Sequence, residues 1–557
     1  MGVYIPLGIE SFADMRENDY YYVDKTSFIK ELLSNKFKVN LITRPRRFGK
    51  SLTMSMLDDF FDISKNSKSH FDGLAISRET EIYEKWMNQY PVVSISLKSI
   101  KGANYERAFS KLEVYISEVC KKYAFLEISD KADADDIILF KNLKAQTAKS
   151  ENIETSLRLL TRMLAAHYGK KVILLIDEYD VPLAEAHNNG YYSQMLECIK
   201  SLLDVLKTND YLEFGIVTGC LRISKESIFT GLNNLVVSSI TTQRFDECIG
   251  FTEEEVEKLL ADTGFADHAQ EIREWYDGYR FGQVDVYCPW DVLNHVAALM
   301  ENPKTEPKSY WGGTSHNNVV LQILENAQTN INAKFETLLS GETIHESVTE
   351  ELTYDTMMQS EDGLWSLLFM TGYLTQGNKN ETGGSEETNR TLALKIPNEE
   401  VKDIFRKTIV DRFKKEVEII DRKDLIQAFW DGDAAKASEL MSDILFNTIS
   451  YYDYKESYYH AFAAGLMIGA GYIVESNYEK GLGRPDIVVM DRKKRRAILL
   501  EAKHAGDGET IEHACKEALK QIKEKRYAES LNGFRTVICY GIAFEGKDCL
   551  VQQLADK

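Results

Sequence analysis

Runs of apolar residues in the N-terminal half of the chain predict buried β-strands, at 39–42, 91–97, 171–178 and 214–219. Stretches with helical spacing separate these runs, for example 156–166 and 194–206. Strands that are apolar along their whole length are buried on both faces, which is typical of a parallel sheet covered by crossover helices. The pattern therefore predicts an α/β fold with a parallel sheet for this part of the chain.

The C-terminal part also alternates between helical and strand patterns. Two short apolar runs flank the polar run 491–496, which predicts a strand, a turn and a second strand. The expected order is a helix, two strands, a helix and a last buried strand, at 458–472, 487–490, 497–500, 509–527 and 534–543. This order predicts a second, smaller α/β domain.

The region between these two parts is predicted to be mainly helical. Thr252 and Glu255 have capping-box spacing at the start of a helix, which opens a small helical region that could serve as a lid. A hairpin with a polar tip is expected at 365–397. The predicted domains are the N-terminal α/β domain, the lid, a mostly helical linker region with the hairpin, and the C-terminal domain, at 1–250, 251–330, 331–446 and 447–557.

Composition narrows the class of protein. The 557 residues are 44% hydrophobic and 28% charged, which is typical of a globular chain, and no apolar run has the length of a membrane span. The N-terminus lacks the pattern of a secretory signal, and the eight cysteines contain no CxxC pair. We therefore expect a cytoplasmic protein without a disulfide framework or a membrane segment.

Charge is distributed unevenly. The formal net charge of −20 argues against a protein that coats nucleic acid with its whole surface. Residues 480–526, in contrast, contain 13 Lys and Arg against 8 Asp and Glu, and the run 492–496 consists only of Lys and Arg. This run is either a solvated turn or a contact to a phosphate backbone beside a metal site.

The candidate metal site lies at the predicted C-terminal hairpin. Asp486 precedes its first strand, and Glu501 and Lys503 follow the second, so the hairpin returns Glu501 beside Asp486. Mg²⁺ takes oxygen ligands from one or two carboxylates and substrate phosphate, and a nearby ammonium can orient or activate the attacking water. The arrangement suits hydrolysis of a phosphodiester, although acids also end many strands simply because those ends reach the surface.

A candidate nucleotide site lies near the N-terminus. The strand at 39–42 is followed by a loop ending in Gly49, Lys50 and Ser51, and then by a helical run. In a phosphate-binding loop, backbone N–H groups cradle the phosphates, the lysine reaches the β- and γ-phosphates and the serine hydroxyl ligates Mg²⁺. The first glycine of the full GxxxxGK[ST] motif would fall at Arg44, so the loop departs from that motif.

Polar residues at the ends of two further strands complete this site. Asp177 ends the run 171–178 and is placed to hold Mg²⁺, and Glu178 to polarise an attacking water in ATP hydrolysis. Thr218 ends the run 214–219, where it could sense the γ-phosphate. Arg222 is a candidate arginine finger toward a neighbouring subunit, so a homo-oligomer remains open.

Five motifs together make the chain resemble a bacterial AAA-ATPase-like family. They are YYVDKT, RPRRFGKS, DEYD, TGCLR and WYDGYRFG, at 21–26, 44–51, 177–180, 218–222 and 275–282. In that family the RPRRFGKS form is the usual loop, which implies that Arg44 is a family trait and that Arg47 belongs to the nucleotide site. Its members commonly carry a C-terminal nuclease domain.

The C-terminal motif resembles the PD-(D/E)xK nuclease superfamily. Pro485 and Asp486, followed by Glu501, Ala502 and Lys503, match its pattern at the expected hairpin spacing. The resemblance implies a restriction-endonuclease-like α/β fold. It also implies three accessory polar positions near the metal: Glu456, Gln521 and Tyr527.

Two functional hypotheses follow from these sites. In the first, ATP bound with Mg²⁺ at the N-terminal site gates cleavage of nucleic acid, expected to be DNA, by a Mg²⁺- or Mn²⁺-dependent C-terminal site. In the second, the chain is a nucleotide-switched regulatory or assembly ATPase whose nuclease-like domain only binds nucleic acid. The intact acids and lysine favour the first hypothesis, because a pure binder has no need of carboxylates that repel phosphate.

Overall fold

The computed structural model describes most of the chain in two compact units. The units are Met1–Ser315 with Thr343–Lys402, and His316–Glu342 with Asp403–Lys557. The four domain ranges given above stay predictions. The described residues are 3–223, 229, 234–311, 329–350, 357, 360–377, 391–418, 423–448, 459, 462–463, 466–467, 473–476, 485–506, 508–531 and 533–555.

The described helices are numbered here in chain order. They are α1 Phe12–Glu17, α2 Ser27–Asn35, α3 Lys50–Phe61, α4 Thr80–Trp86, α5 Tyr105–Lys122, α6 Ala134–Lys144, α7 Ser150–Glu154, α8 Ser156–Tyr168, α9 Val181–Asn188, α10 Tyr192–Leu203, α11 Glu253–Thr263, α12 Ala269–Tyr276, α13 Pro289–Glu301, α14 Thr329–Ser340, α15 Glu361–Thr371, α16 Glu399–Glu418, α17 Lys423–Asp431, α18 Ala434–Thr448 and α19 Ile511–Glu524. Short 3₁₀ turns lie at Lys68–Phe71, Ala75–Arg78, Leu97–Ser99, Ala124–Ile128, Asp204–Leu206, Ala266–His268 and Tyr527–Leu531. No helix among the described residues is both long and apolar enough to cross a bilayer.

The described strands form four sheets. They are β1 Val39–Thr43, β2 Val92–Ser96, β3 Val172–Asp177, β4 Leu212–Gly219, β5 Leu235–Ser238, β6 Tyr279–Phe281, β7 Val284–Val286, β8 Ile344–Ser347, β9 Thr375–Gln376, β10 Thr391–Lys395, β11 Ile473–Ser476, β12 Ile487–Asp491, β13 Arg496–His504, β14 Thr536–Glu545 and β15 Asp548–Gln553. The sheet orders are β2-β3-β4-β1-β5, β6-β7, β8-β10-β9 and β11-β12-β13-β14-β15.

The first unit is built on the five-stranded sheet, in which every neighbouring pair is parallel. Every residue of β1 and β3 is buried, which explains why their sequences are apolar on both faces. β4 lies between β1 and β3, with Thr43 opposite Gly219 and Ile176 opposite Val217. The carboxyl ends of the three strands therefore meet at one edge, and the predicted α/β fold with a parallel sheet is confirmed.

A helical region with its own core follows this sheet. It contains α11, α12 and α13, and the predicted capping box is present, with the Thr252 side chain accepting a hydrogen bond from the N–H of Glu255. The core includes Leu259, Tyr276 and Val292, all fully buried. The short β6–β7 hairpin interrupts the helices and was not predicted.

The predicted hairpin at 365–397 is partly wrong. Residues 361–371 form helix α15, which begins after an N-cap at Ser360 and ends at Gly372 with a positive φ of 90°. Nearly all of this helix is buried, so its sequence has no polar face by which to distinguish a helix from a strand. The hairpin strands are β9 and β10, which pair antiparallel, and most of the predicted tip lies outside the described residues.

The second unit contains a mixed sheet. β13 and β14 are parallel, and the other neighbouring pairs are antiparallel. Side chains on one face pack against α17, α18 and Tyr459, and α19 covers the other face. The predicted order from the hairpin to α19 and β14 is confirmed, but β14 is followed by a further strand, β15, whose alternating pattern was missed.

Replacing Gly278 with alanine is expected to destabilise the first unit strongly. Gly278 has a φ of 95°, and a Cβ there would lie 2.1 Å from the carbonyl oxygen of Pro397, so backbone would have to move. Gly264 is a matched control, because its φ is 83° but a Cβ would meet no heavy atom within 4 Å. The left-handed conformation costs about 1 kcal/mol in both variants. We expect a total near 3 kcal/mol for Gly278→Ala, measured by urea unfolding. Equal losses would contradict this packing argument.

Candidate active sites

The phosphate loop occupies residues 44–49, between β1 and α3. Gly49 has a φ of 91°, a left-handed conformation that glycine adopts without strain, and Lys50 begins the helix. The first N–H groups of α3 face the loop and carry the positive end of the helix dipole, which favours a bound phosphate. The predicted strand, loop and helix are therefore present.

Arg44, which replaces the first glycine of the full motif, is fully buried. Its guanidinium donates to the carbonyl oxygens of Thr43, Ser238 and Phe245, at 2.9, 3.0 and 3.0 Å. Burial lowers its pKa to about 10. The Arg44 side chain thus connects the end of β1 with the end of β5 by hydrogen bonds, and it is not available to a phosphate in the loop.

Lys50 folds back over the loop. Its Nζ atom donates to the carbonyl oxygens of Arg44 and Pro45, both at 2.9 Å, and lies 3.7 Å from the Sγ atom of Cys220. The side chain is 5% exposed. A phosphate seated on the loop would therefore meet an ammonium that is already held at the loop by two carbonyls.

Asp177, at the end of β3, gathers two hydroxyl groups. Its Oδ2 atom accepts a hydrogen bond of 2.6 Å from Ser51, and its Oδ1 atom accepts one from Thr218. Since Ser51 belongs to α3 and Thr218 to β4, the pairing of β4 with both β1 and β3 brings these groups together. The structure thus unites Ser51, Asp177 and Thr218, as the sequence predicted.

The two residues after Glu178 hold the segment that follows β4, and sequence reasoning gave them no role. Asp180 accepts hydrogen bonds from the N–H groups of Cys220 and Leu221, at 2.8 and 3.1 Å. The Tyr179 hydroxyl donates to the Leu221 carbonyl oxygen at 2.7 Å and accepts from the N–H of Ile223 at 3.1 Å. These hydrogen bonds hold the segment that carries Arg222 in place. The acid at position 180 of the DEYD motif is the sequence feature that could have indicated this role.

Glu178 itself has a strained backbone and a perturbed carboxyl group. Its φ is 52°, a left-handed value that is uncommon for a residue with a side chain. Burial raises the pKa of its carboxyl group, against the opposing effect of the nearby Lys50 ammonium. Both features are typical of a residue held in place for chemistry.

Arg47 is directed toward the helical region of the first unit. Its guanidinium donates to the carbonyl oxygen of Tyr310 at 2.9 Å and lies 4.4 Å from the centroid of the Trp290 ring. Its φ of 70° is also left-handed. The structure therefore does not bring this side chain to Ser51 and Asp177, and its nucleotide-binding role stays a prediction.

A pair of buried carboxyl groups, Asp291 and Glu400, lies beside Arg47 and was not foreseen. Burial raises the pKa of Asp291 far above its usual range, and the neighbouring Glu400 raises it further. The Oε1 atom of Glu400 accepts hydrogen bonds from the N–H groups of Tyr310 and Trp311, at 2.5 and 2.7 Å. The two acids come from distant parts of the sequence, so no local pattern indicated them.

The second candidate site lies at the start of β12. Ile487 pairs with Leu500, which places Asp486 next to Glu501. The Oδ2 atom of Asp486 accepts a hydrogen bond of 2.9 Å from the N–H of Ala502, and the Oε2 atom of Glu501 accepts one of 3.3 Å from the N–H of Asp486. The predicted meeting of the two acids therefore occurs in the structure.

Helix α19 and the 3₁₀ turn that follows it supply the polar groups beside this pair. The Nε2 atom of Gln521 donates to the Oε1 atom of Glu501 and lies 3.4 Å from the hydroxyl of Tyr527. Burial raises the pKa of Tyr527, Glu501 and Asp486 raise it further, and Lys503 lowers it, so these three charged groups all act on the hydroxyl. The structure thus gathers the predicted residues except Glu456, which lies outside the described residues.

The basic run at 492–496 is not beside the carboxylates. It forms the turn between β12 and β13, and Asp491 pairs with Arg496 at that end of the hairpin. Glu501 lies five residues further along β13, about 17 Å away at the strand rise of 3.3–3.4 Å per residue. Of the two alternatives given for this run, the phosphate contact beside the metal site is therefore wrong in its position.

Both candidate sites have the donor chemistry of a magnesium site. Neither is a closed cage, and no group of three or more His, Cys, Asp or Glu side chains suited to a metal occurs among the described residues. One site offers the Ser51 hydroxyl and the Asp177 carboxylate, and the other offers Asp486 and Glu501. Mg²⁺ is usually held by one or two carboxylates with waters and substrate phosphates, so these oxygen donors fit it.

Comparison with known proteins identifies both parts of the chain. The family model described as Predicted AAA-ATPase matches residues 6–229, and that of the PD-(D/E)XK nuclease superfamily matches residues 454–554. A protein of Azotobacter chroococcum mcd 1, described as an uncharacterized protein in the vnfD 5' region, is 28% identical over 415 residues, covering 74% of this chain and 71% of that protein.

Among solved structures, the chain was matched with the Aeropyrum pernix ORC2 protein in its ADPNP-ADP complexes. The match covers 73% of this chain and 96% of that one, at 10% identity and a TM-score of 0.21. This similarity is too low to support a conclusion about fold or function. The family matches, in contrast, agree with the motifs and with the two sheets described above. The chain therefore combines a predicted AAA-ATPase domain at residues 6–229 with a PD-(D/E)XK nuclease superfamily domain at residues 454–554, which confirms the resemblance found in its sequence.

Proposed function

We propose that this protein binds and hydrolyses ATP at its N-terminal site, and that the nucleotide state gates a metal-dependent nuclease site in its C-terminal domain. The substrate of the nuclease site is nucleic acid, with DNA expected. The observation that carries this proposal is the strand register that places Asp486 against Glu501, with Lys503 on the same strand. The N-terminal group of Lys50, Ser51, Asp177 and Thr218 supports its nucleotide-dependent part.

At the N-terminal site, the residues have separable tasks. The Lys50 ammonium and the first N–H groups of α3 bind the nucleotide phosphates. Ser51 and Asp177 offer oxygen atoms to Mg²⁺, which would neutralise phosphate charge when bound. Glu178 accepts a proton from the attacking water, and its raised pKa brings it closer to that of a general base working near neutral pH.

At the C-terminal site, the two acids are held by backbone and helix. The N–H of Ala502 orients Asp486, while Gln521 and the N–H of Asp486 orient Glu501. A divalent cation bound there would polarise the phosphodiester and activate water. Lys503 follows Glu501 by two residues on β13, so its side chain lies on the same face and can orient that water.

The gating step is supported by helix α16. Its first turn contains Glu400, which holds the N–H groups of Tyr310 and Trp311, and Arg47 of the phosphate loop donates to the Tyr310 carbonyl. The same helix continues beyond Lys402, where the chain passes into the second unit. A change in the position of Arg47 could thus be passed through the Tyr310 segment to α16, which continues into the chain of the second unit.

Replacing Asp177 with asparagine is expected to abolish ATP hydrolysis. Asparagine keeps the shape of the side chain but removes the charge that attracts Mg²⁺, and we expect a loss of about a hundredfold or more. Lys50→Ala should weaken binding of a fluorescent ATP analogue as well. The readouts are phosphate release and nucleotide anisotropy, and Lys111→Ala on the exposed face of α5 is the control. Full hydrolysis by the Asp177 variant would reject the nucleotide site.

Replacing Asp486 with asparagine, or Glu501 with glutamine, is expected to abolish nuclease activity. Each change keeps side-chain size while removing one carboxylate charge from the metal site, and we expect cleavage to fall by about a hundredfold or more. Linear, circular and single-stranded DNA and RNA would be incubated with Mg²⁺ or Mn²⁺, with and without ATP. Exposed Glu529→Gln is the matched control.

The outcomes of this cleavage experiment separate the two functional hypotheses. Cleavage that depends on Asp486 and changes with ATP supports the gated nuclease. Binding of nucleic acid without any cleavage by the wild type, under all metal and nucleotide conditions, would contradict it and favour a regulatory ATPase with a nucleic-acid-binding domain. Cleavage that is unaffected by ATP and by Asp177→Asn would remove the gating step alone.

A further inference from the structure

Five exposed cations form a surface at one edge of the sheet in the second unit. Four lie in the turn between β12 and β13, and the fifth directly precedes β14. We name this surface the basic edge and define it by Arg492, Lys493, Lys494, Arg495 and Arg535, all of which are exposed. The sheet brings the two segments together, since the N–H of Arg535 donates to the carbonyl oxygen of Arg495 at 2.6 Å.

The basic edge lies at the opposite end of the strands from the carboxylates. Asp491 pairs with Arg496 and Arg496 pairs with Thr536, whereas Glu501 pairs with Gly541. The five residue steps from Arg496 to Glu501 span about 17 Å along β13. A nucleic-acid backbone bound at both places would therefore have to extend over about 17 Å between them.

The cation next to this surface has a different, structural task. The Nε atom of Arg496 donates to the Oδ2 atom of Asp491 at 3.1 Å, and its guanidinium lies 4.0 Å from the centroid of the Trp430 ring. Asp491 is buried and also accepts a hydrogen bond of 3.0 Å from the N–H of Lys494. The acid of this turn is therefore already matched by Arg496, which leaves the charge of the basic edge uncompensated within the turn.

The backbone of the turn gives a second reason to look for a function. Arg495 has a φ of 51°, a left-handed conformation that a residue with a side chain adopts at a cost of about 1 kcal/mol. A turn serving only as a connection would be more stable with glycine or asparagine at that position. Four successive long cations here, in a chain with a net charge of −20, concentrate positive charge at one exposed turn, which is suited to a polyanion.

We propose that the basic edge is a second backbone-binding site for nucleic acid, which contacts phosphates about 17 Å from the phosphodiester at Asp486 and Glu501. This inference rests on the proposed function for the position of the cut, but the binding itself does not require cleavage. The cations contribute affinity that is independent of base sequence, through release of counterions from the backbone. They also set the direction in which the strand leaves the metal site.

The test is a binding titration with the full chain in an Asp486→Asn background, which prevents cleavage. The variant of the basic edge carries Arg492→Gln, Lys493→Gln, Lys494→Gln and Arg535→Gln, and it keeps Arg495 and Arg496, which contact the surrounding backbone and ring. A matched control removes four exposed lysines from helices α5 and α6, by Lys111→Gln, Lys121→Gln, Lys122→Gln and Lys141→Gln. Both variants change the net charge equally.

Anisotropy of a labelled 30-base-pair duplex is measured from 0.05 to 0.3 M salt. Each phosphate that is deprived of its cation should weaken binding about fivefold at 0.15 M salt and reduce the slope of log K against log salt by about 0.9. Since the substitutions should deprive at least two phosphates of their cations, we expect about 25-fold weaker binding for the basic-edge variant. The control variant should stay within about twofold of the background, because its lysines lie in the other unit.

Several outcomes would overturn the inference. It fails if both variants bind the duplex equally. It also fails if a parallel measurement shows that the basic-edge variant loses binding to phosphatidylserine vesicles but keeps its binding to the duplex. If the background binds no nucleic acid, both this inference and the proposed nuclease fail. If the wild type never cuts but duplex binding depends on the basic edge, the nuclease proposal fails while this site stands.

The distance between the two sites can be measured separately. Lys493→Cys, coupled to a short photo-cross-linker, should react with nucleotides that are displaced from the cut made by the wild type on the same duplex, at one defined offset consistent with a separation of about 17 Å. Cross-links centred on the cut itself, or spread evenly along the duplex, would contradict the predicted path.

Discussion

The registers of three strand pairs determine where the candidate catalytic groups lie. In the first unit, β4 is hydrogen-bonded between β1 and β3, so that Thr218 meets Asp177 and α3 brings Ser51 to the same carboxylate. In the second unit, the pairing of Ile487 with Leu500 sets Asp486 against Glu501. A slip of one residue would place the strand residues of each site on opposite faces of the sheet, and both sites would be lost.

Arg44 illustrates how such an edge is made rigid. A buried guanidinium is costly unless its donors find acceptors, and here the two terminal nitrogens donate to carbonyl oxygens from β1, from the end of β5 and from Phe245. Glycine at this position would leave those buried carbonyls without these donors. The departure from the usual phosphate-loop motif is therefore explained by packing around the loop, and the parts of the loop that face phosphate, from Gly49 to Ser51, keep their expected residues.

Sequence reasoning succeeded where chemistry lies at the end of a regular, strongly apolar strand. β1, β3, β4, β12 and β13 were located because burial on both faces leaves a continuous apolar run, and the polar residues that end the run are the candidate ligands. It failed for α15, where burial on all sides removes the helical period. It also missed Asp291 and Glu400, since contacts between residues far apart in sequence leave no local pattern.

The phosphate loop is held from two sides, and this limits how it can respond to a nucleotide. Arg44 ties its start to the sheet, and Arg47 ties its middle to the Tyr310 carbonyl, whose peptide neighbours are held by Glu400. Burial raises the pKa of both Asp291 and Glu400, and their proximity disfavours two negative charges beside Arg47. A nucleotide that moves Arg47 must therefore break its bond to Tyr310 or carry the start of α16 with it. The second course also meets the hydrogen bond of 2.8 Å from the Asn398 side chain to the Asp277 carbonyl oxygen, which holds the start of α16 to the helical region of the first unit.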